Sequence, residues 1–318
     1  MKGSVNTIEI FDIHFNCAAM IKKLVYLLIG VALMTSCKSG GKQAGGEFGS
    51  SDSAVSVSGL KVDEKSMENL VQNISSPVEM AALIKSMGTP FSQRYLATTK
   101  NIDNYNTSFS KAFNLGIFGA DLGYLNMYNK TSSVLSYITA IKSLAEGISV
   151  GQFFDFVTLK RLATNNENID SLMYISIHSF NVMDEYLRKN NRSNLSTLMV
   201  AGVYIEGLYL TTQVCKERPD KKLSDNIGEQ KTIFNELILI LKNYQKEPYF
   251  GNLITNLTEL KKQFDQVKIT IEVGEPKTIE KNGMLTIVQT SKSNVDMSAE
   301  QLNNIIKTTE TVRNNLIK

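Results

Sequence analysis

The sequence predicts a mainly α-helical protein: an antiparallel multi-helix bundle with a small C-terminal β-hairpin element and a final helix. Apolar residues recur at spacings of three and four, as at Leu253, Leu257 and Leu260, which aligns them on one face of a helix. Prolines such as Pro219 and Pro248 fall at the apparent ends of these stretches, where a helix tolerates them. Periodicity and boundary prolines together indicate the bundle.

Short polar joints separate the helical stretches, which favours antiparallel neighbours. A capping box at Ser298 and Gln301 predicts a last helix that continues to about residue 317. The other expected helices lie near residues 61–74, 77–87, 91–99, 101–129, 131–147, 150–163, 167–189, 193–217, 222–244 and 248–265.

The C-terminal part changes character between residues 267 and 289. Val267–Val273 alternates apolar and polar residues and is rich in β-branched ones, which predicts a strand. Asn282-Gly283 separates residues 278–281 from 284–289, and this dipeptide is typical of a hairpin turn. A longer helix is the alternative for 267–273, because the segment also continues the apolar stripe of the preceding helix.

A targeting segment lies between Met20 and Cys37. Lys22 and Lys23 precede an apolar run from Leu24 to Met34, which is shorter than the roughly 20 residues needed to span a bilayer but suits a signal peptide. Small residues then precede Cys37. This arrangement resembles the lipobox of bacterial lipoproteins, with Met34 where leucine is usual. An ordinary secretory signal with a chance cysteine, or a core helix, is the alternative.

The resemblance implies diacylation of the Cys37 thiol, cleavage before Cys37 and acylation of the new amino terminus with chains such as palmitate. Two or three chains make a stable membrane anchor. We therefore expect residues 20–36 to be a signal peptide, 37–60 a flexible Gly- and Ser-rich tether, and 61–318 a single helical domain. Residues 1–19 fit no part of this scheme, and we interpret them as a mis-annotated start.

Composition excludes several classes of protein. With 34 basic and 31 acidic residues the net charge is only +3, so nucleic acid is not an expected partner. The chain has 2 His and 3 Cys, too few for a zinc finger or a disulfide framework. We expect no metal site and no cofactor.

Two apolar segments carry similar patterns. Gly116, Asp121 and Tyr124 in the first are echoed in outline by Gly202, Glu206 and Tyr209 in the second. The spacing from glycine to acid differs by one residue, so the pattern does not establish a duplication.

The chain also resembles an uncharacterised helical lipoprotein family of the Bacteroidota, over about residues 70–270. The resemblance rests on Gly119–Tyr124, Asn168–Ser171 and Ile205–Tyr209. It implies no activity and no catalytic residues.

The acids in the two segments are the candidate site. Asp121, Tyr124 and Tyr128 share a helix face, and Glu206 and Tyr209 share another. We expect the two helices to pack together or on a shared neighbour, with both carboxylates buried in a hydrogen-bonded network. A ligand pocket is the second interpretation, and an acid–base carboxylate pair the third. In a buried network, both Asp121→Asn and Asp121→Ala should lower the melting temperature, Ala more than Asn.

Two other side chains, His178 and Cys215, are of types that can carry chemistry. We expect His178 to be a core or boundary histidine, since no nucleophile elbow accompanies it. We expect Cys215 to be a passive thiol, although nearby basic residues would favour activation.

These observations predict a non-enzymatic lipoprotein that binds or scaffolds other components of the cell envelope. We expect its acyl chains to hold it on the outer membrane, facing the periplasm, because no acidic run follows Cys37. An envelope protein is the expected partner. The alternatives are a periplasmic small-ligand binder with a pocket near Asp121 and Glu206, and a carboxylate-based hydrolase.

Overall fold

A computed structural model describes residues 84–86, 88–164, 169–273, 277–281, 284–288 and 291–318. The predicted signal peptide, tether and helix 61–74 lie outside these residues. The predicted helical bundle with a C-terminal β element and a final helix is confirmed. The α-helices are α1 (Ser108–Met127), α2 (Thr131–Gly147), α3 (Phe156–Thr164), α4 (Ile169–Lys189), α5 (Ser193–Glu217), α6 (Lys221–Lys242), α7 (Pro248–Asp265) and α8 (Ala299–Leu316).

Local sequence fixes where several helices begin. Thr107 and Ser110 form a capping box before α1, and each satisfies a backbone N–H that the helix leaves unpaired. Pro248 occupies the first turn of α7, where its missing N–H costs nothing. The capping box predicted at Ser298 and Gln301 begins α8.

The segment before α1 departs from the prediction. The expected helix 91–99 is wrong, and the expected helix 101–129 begins too early. Two short 3₁₀ helices, Gln93–Tyr95 and Thr99–Asn104, form where the first expected helix and the start of the second were placed. Extended residues join them. Side chains from neighbouring helices bond the backbone groups here, so tertiary contacts override the helical spacing. The expected helix 150–163 likewise divides into a 3₁₀ helix, Gly151–Phe153, and α3.

Helix α5 lies at the centre of the bundle. It contacts α1, α4, α6 and α8, and every residue from Leu195 to Cys215 except Val203 is buried. Its length and apolar composition would also suit a membrane span, but 94% of its most apolar window is buried inside the protein. Burial on all sides is the pattern of a core helix.

Helices α1 and α5 form the most extensive helix contact, and two glycines allow it. A Cβ added to Gly116 would lie 2.0 Å from the Met199 carbonyl oxygen, and one added to Gly202 would lie 2.1 Å from that of Phe113. Phe113 and Met199 each lie three residues before the glycine of their own helix. The contact is therefore reciprocal, with backbone against backbone at the crossing.

Two antiparallel ribbons precede α8. The strands are β1 (Lys268–Val273), β2 (Lys277–Lys281), β3 (Met284–Val288) and β4 (Ser291–Asp296). β2 and β3 form the predicted hairpin, and β1 confirms the strand interpretation of 267–273. β4 pairs with β1 in the register Lys268 to Asp296. The sequence did not indicate β4, because Ser, Lys, Asn and Asp are poor strand formers.

Candidate functional site

Glu206 in α5 forms a two-point ion pair with Arg313 in α8. Arg313 Nε lies 2.8 Å from Glu206 Oε2, and Nη2 lies 2.5 Å from Oε1. The Arg313 side chain is 5% exposed and that of Glu206 is 0% exposed. A guanidinium and a carboxylate removed from water need this paired geometry, since either one alone would be an uncompensated buried charge.

The carboxyl group of Asp121 in α1 lies close enough to that of Glu206 for the two to interact. Two carboxyl groups can bond only if one of them carries a proton. Burial, with repulsion from Glu206 as the second cause, raises the pKa of Asp121 well above its usual value. No donor among the described residues reaches Asp121 Oδ1. Burial and the neighbouring Glu206 thus both favour the protonated form of Asp121, whose Oδ1 hydroxyl can donate to Glu206.

With a proton on Asp121 the cluster is electrically neutral. Arg313 carries one positive charge, Glu206 one negative charge, and protonated Asp121 none. Burial tends to lower the pKa of Arg313, but the attraction of Glu206 raises it above its usual value. A neutral buried cluster avoids the cost of a second carboxylate in a medium of low polarity.

The cluster also holds the segment that precedes α1. The Ala97 N–H donates to Asp121 Oδ2 over 2.9 Å, and the Tyr137 hydroxyl donates to the Ala97 carbonyl over 2.5 Å. Arg313 Nη2 donates to the Tyr95 carbonyl over 3.3 Å. Three helices thus bond the backbone of one short segment, which we call the strap and define as residues 89–98.

Tyr124 in α1 and Tyr128, the residue that follows α1, hold the rest of the strap. Tyr124 Oη accepts a hydrogen bond from the Ser92 N–H over 3.1 Å. The Tyr128 hydroxyl donates to the Thr89 carbonyl over 2.8 Å. Burial raises the pKa of Tyr124 to about 12, so its hydroxyl keeps its proton at physiological pH. The predicted polar face of α1 therefore satisfies the backbone of the strap.

Tyr209, on the face of α5 that carries Glu206, packs against the ion pair. The Arg313 guanidinium carbon lies 4.3 Å from the centre of the buried Tyr209 ring. A guanidinium over an aromatic face gains a cation–π attraction. The five residues singled out from the sequence, Asp121, Tyr124, Tyr128, Glu206 and Tyr209, thus all contact either the strap or Arg313.

The expected burial of both acids on packed helices is confirmed. Asp121 and Glu206 interact and both follow the Gly116–Gly202 crossing in their helices, so α1 and α5 run in the same direction. Sequence reasoning missed Arg313. Its signal was present, since Arg313 lies seven residues after the buried Ile306 and thus on the apolar stripe of α8.

The other two chemical candidates lie away from the cluster. His178 is exposed and stacks on Tyr174, with ring centres 6.0 Å apart, so the expectation of a core or boundary histidine is wrong. Tyr174, one turn before it, also points to solvent, which the apolar spacing did not reveal. Cys215 is buried, and burial raises the pKa of its thiol, as a passive thiol requires.

An open groove of about 480 Å³ lies between the end of α2 and the start of α3. Neither Asp121 nor Glu206 lines this groove. Lys142 approaches the Phe156 ring there, with its Nζ 5.6 Å from the ring centre. The residues that line the groove are Lys142, Glu146, Ser149, Gly151, Gln152, Phe154, Asp155, Phe156 and Val157.

No family model, curated protein or solved structure matches the chain.

Proposed function

We propose that this protein is a lipid-anchored envelope lipoprotein whose helical body has a non-enzymatic binding or scaffolding role. The observation that carries the non-enzymatic part of this proposal is the complete burial of Asp121 and Glu206. Asp121 and Glu206 have no exposed surface, and the Ala97 N–H and the Arg313 guanidinium bond their oxygens.

A catalytic acid or base must come within hydrogen-bond reach of a substrate. Here Arg313 covers Glu206 at two points, and the strap residue Ala97 covers Asp121. A substrate would have to displace a buried guanidinium and the strap together. The same argument weighs against a small-ligand pocket at these two acids, so we place binding on the outer surface of the body.

The anchor is proposed from the segment Met20–Cys37. In this proposal, acyl chains on Cys37 hold the body to the outer membrane on its periplasmic side, as in the bacterial lipoproteins that the segment resembles. The Gly- and Ser-rich tether expected at residues 37–60 would let the body reach an envelope protein while it stays attached.

Membrane fractionation of a Cys37→Ala variant tests the anchor. We expect wild type in the membrane pellet after a high-salt wash and Cys37→Ala in the soluble fraction. Cys215→Ala is the matched control, because it removes a buried thiol but keeps the lipidation site, and it should stay in the pellet. Retention of Cys37→Ala in the washed pellet would overturn the lipoprotein proposal.

Cross-linking followed by affinity capture from envelope membranes tests the scaffolding role. We expect envelope proteins to be enriched with wild type relative to Cys37→Ala. Equal recovery from both proteins would contradict a role that depends on anchoring at the membrane.

A further inference from the structure

Strand β1 forms the outer edge of its ribbon. Helix α6 packs against the partner strand β4, and the β4 residues Ser293, Asn294 and Val295 are each partly buried. In β1, by contrast, residues 268, 270, 271 and 272 are exposed. The ribbon therefore turns β4 towards the bundle and β1 away from it.

The outer edge of β1 has no strand partner among the described residues, where β1 pairs with β4 alone. Such an edge presents unpaired backbone N–H and C=O groups that can accept another strand. It also carries Ile271, which is 65% exposed. An exposed isoleucine on an open edge is the combination that proteins usually avoid or use for association.

The sequence of β1 is complementary to itself when two copies run antiparallel about Thr270. In that register Lys268 faces Glu272 of a second copy, and Thr270 faces its own counterpart. Ile269 faces Ile271, so the exposed side chain gains an apolar cross-strand neighbour. Opposite charges, threonine pairs and β-branched apolar pairs are each favourable cross-strand partners.

We propose that two copies of this chain associate through β1 to form a four-stranded antiparallel sheet in the order β4–β1–β1–β4, with the two-fold axis at Thr270. The contact is isologous, because each copy offers the same strand, and it therefore closes as a dimer. Pairing gives the free backbone groups of both edges partners and covers Ile271 in both copies. This inference goes beyond the proposed function and does not depend on the lipid anchor.

Cysteine cross-linking tests the register in the full chain under an added oxidant. In Thr270→Cys the two thiols would lie opposite each other on the axis, so we expect a disulfide-linked dimer. In Lys268→Cys the two thiols would be four residues apart along the strands, about 13 Å, which is too far for a disulfide. Lys268→Cys is thus the matched control, and it should stay monomeric on a non-reducing gel. Equal cross-linking of both variants would indicate random collision and overturn the proposal.

A mixture of Lys268→Cys and Glu272→Cys chains gives a second test of the same register. Residues 268 and 272 face each other in the proposed dimer, so the mixture should cross-link although neither variant does so alone. No cross-linking of the mixture, together with none of Thr270→Cys, would overturn the proposal.

Thr270→Lys tests association without covalent chemistry. Within one chain residue 270 is exposed and opposite Asn294, so the ribbon tolerates lysine there. Across the axis two lysines would face each other, which disfavours pairing. We expect sedimentation to show dimeric wild type in detergent and monomeric Thr270→Lys. At dilutions where wild type is also monomeric, the two proteins should have equal melting temperatures. A monomeric wild type at all concentrations would contradict the dimer.

Discussion

The ion pair between Glu206 and Arg313 connects the central helix to the last helix entirely inside the protein. Breaking a buried pair by removing one charge leaves the other uncompensated, at a cost of about 3–5 kcal/mol. Arg313 therefore depends on Glu206 for its place in the core, and α8 depends on both.

We expect Glu206→Gln to lower the free energy of unfolding by about 3–5 kcal/mol, because it leaves a guanidinium buried without its counter-charge. Adding Arg313→Gln should recover part of that loss, since the second change removes the stranded charge. Urea unfolding followed by circular dichroism measures both effects.

The exposed pair of Lys221 and Asp225 provides the control for this prediction. Asp225→Asn should cost less than about 1 kcal/mol, since ion pairs in water contribute little. If Glu206→Gln costs no more than Asp225→Asn, the buried pair does not hold the fold.

The helix crossing predicts a sharp difference between glycines. Gly116→Ala or Gly202→Ala would drive a methyl group into a carbonyl oxygen, so the helices must separate, at about 1–3 kcal/mol or more. Gly251→Ala in α7 is the control, because an added Cβ there would lie 3.5 Å from the Gln245 carbonyl oxygen, an ordinary contact, and alanine favours a helix by about 1 kcal/mol. Thermal melts should show a lower melting temperature for Gly116→Ala and Gly202→Ala and no decrease for Gly251→Ala. A harmless Gly116→Ala would refute the close crossing.

The strap predicts a local effect of single hydroxyl groups. Tyr124→Phe removes the acceptor of the Ser92 N–H, at about 1 kcal/mol, and should speed hydrogen exchange at that amide. Tyr128→Phe removes a bond to the Thr89 carbonyl instead, so it serves as the matched control. Exchange measured residue by residue by NMR should separate the two variants. Equal exchange at Ser92 in both would argue against the Tyr124 bond.

Much of this organisation could be predicted from the sequence, where the signal was local. Three such signals depend on neighbouring residues only, and each predicted the correct element. They are the capping box at Ser298 for α8, the Asn282-Gly283 dipeptide for the pair β2 and β3, and the apolar spacing of α7. The apolar context of Asp121 and Glu206 likewise indicated buried acids.

The rest depended on contacts distant in the chain. Arg313 lies 107 positions from Glu206, and no spacing rule connects them. The strap was expected to be part of an α-helix, yet its backbone bonds Asp121 and Tyr124, so only the short 3₁₀ helix Gln93–Tyr95 forms there. The raised pKa of Asp121 also depends on these distant contacts, and it changes what we expect of Asp121→Asn.

A protonated Asp121 donates through one oxygen and accepts through the other, and asparagine can do the same. Its amide would donate to Glu206 while its carbonyl accepts from Ala97. Asp121→Asn should therefore preserve the network, in contrast to the loss expected from an ionised aspartate. Asp121→Ala leaves both partners unpaired, at roughly 1–3 kcal/mol for each.

The pH dependence of stability in wild type and Asp121→Asn tests the central claim, that the cluster is a neutral structural network, most directly. Because the folded pKa of Asp121 is raised, its stabilising contribution is complete below the unfolded pKa and falls as pH rises towards the folded pKa. Urea unfolding from pH 4 to pH 8 should therefore show the free energy of unfolding of wild type falling relative to that of Asp121→Asn as pH rises. The slope of this difference should approach about 1.4 kcal/mol per pH unit. An Asp121→Asn protein that is less stable than wild type by a constant amount at every pH would contradict the claim.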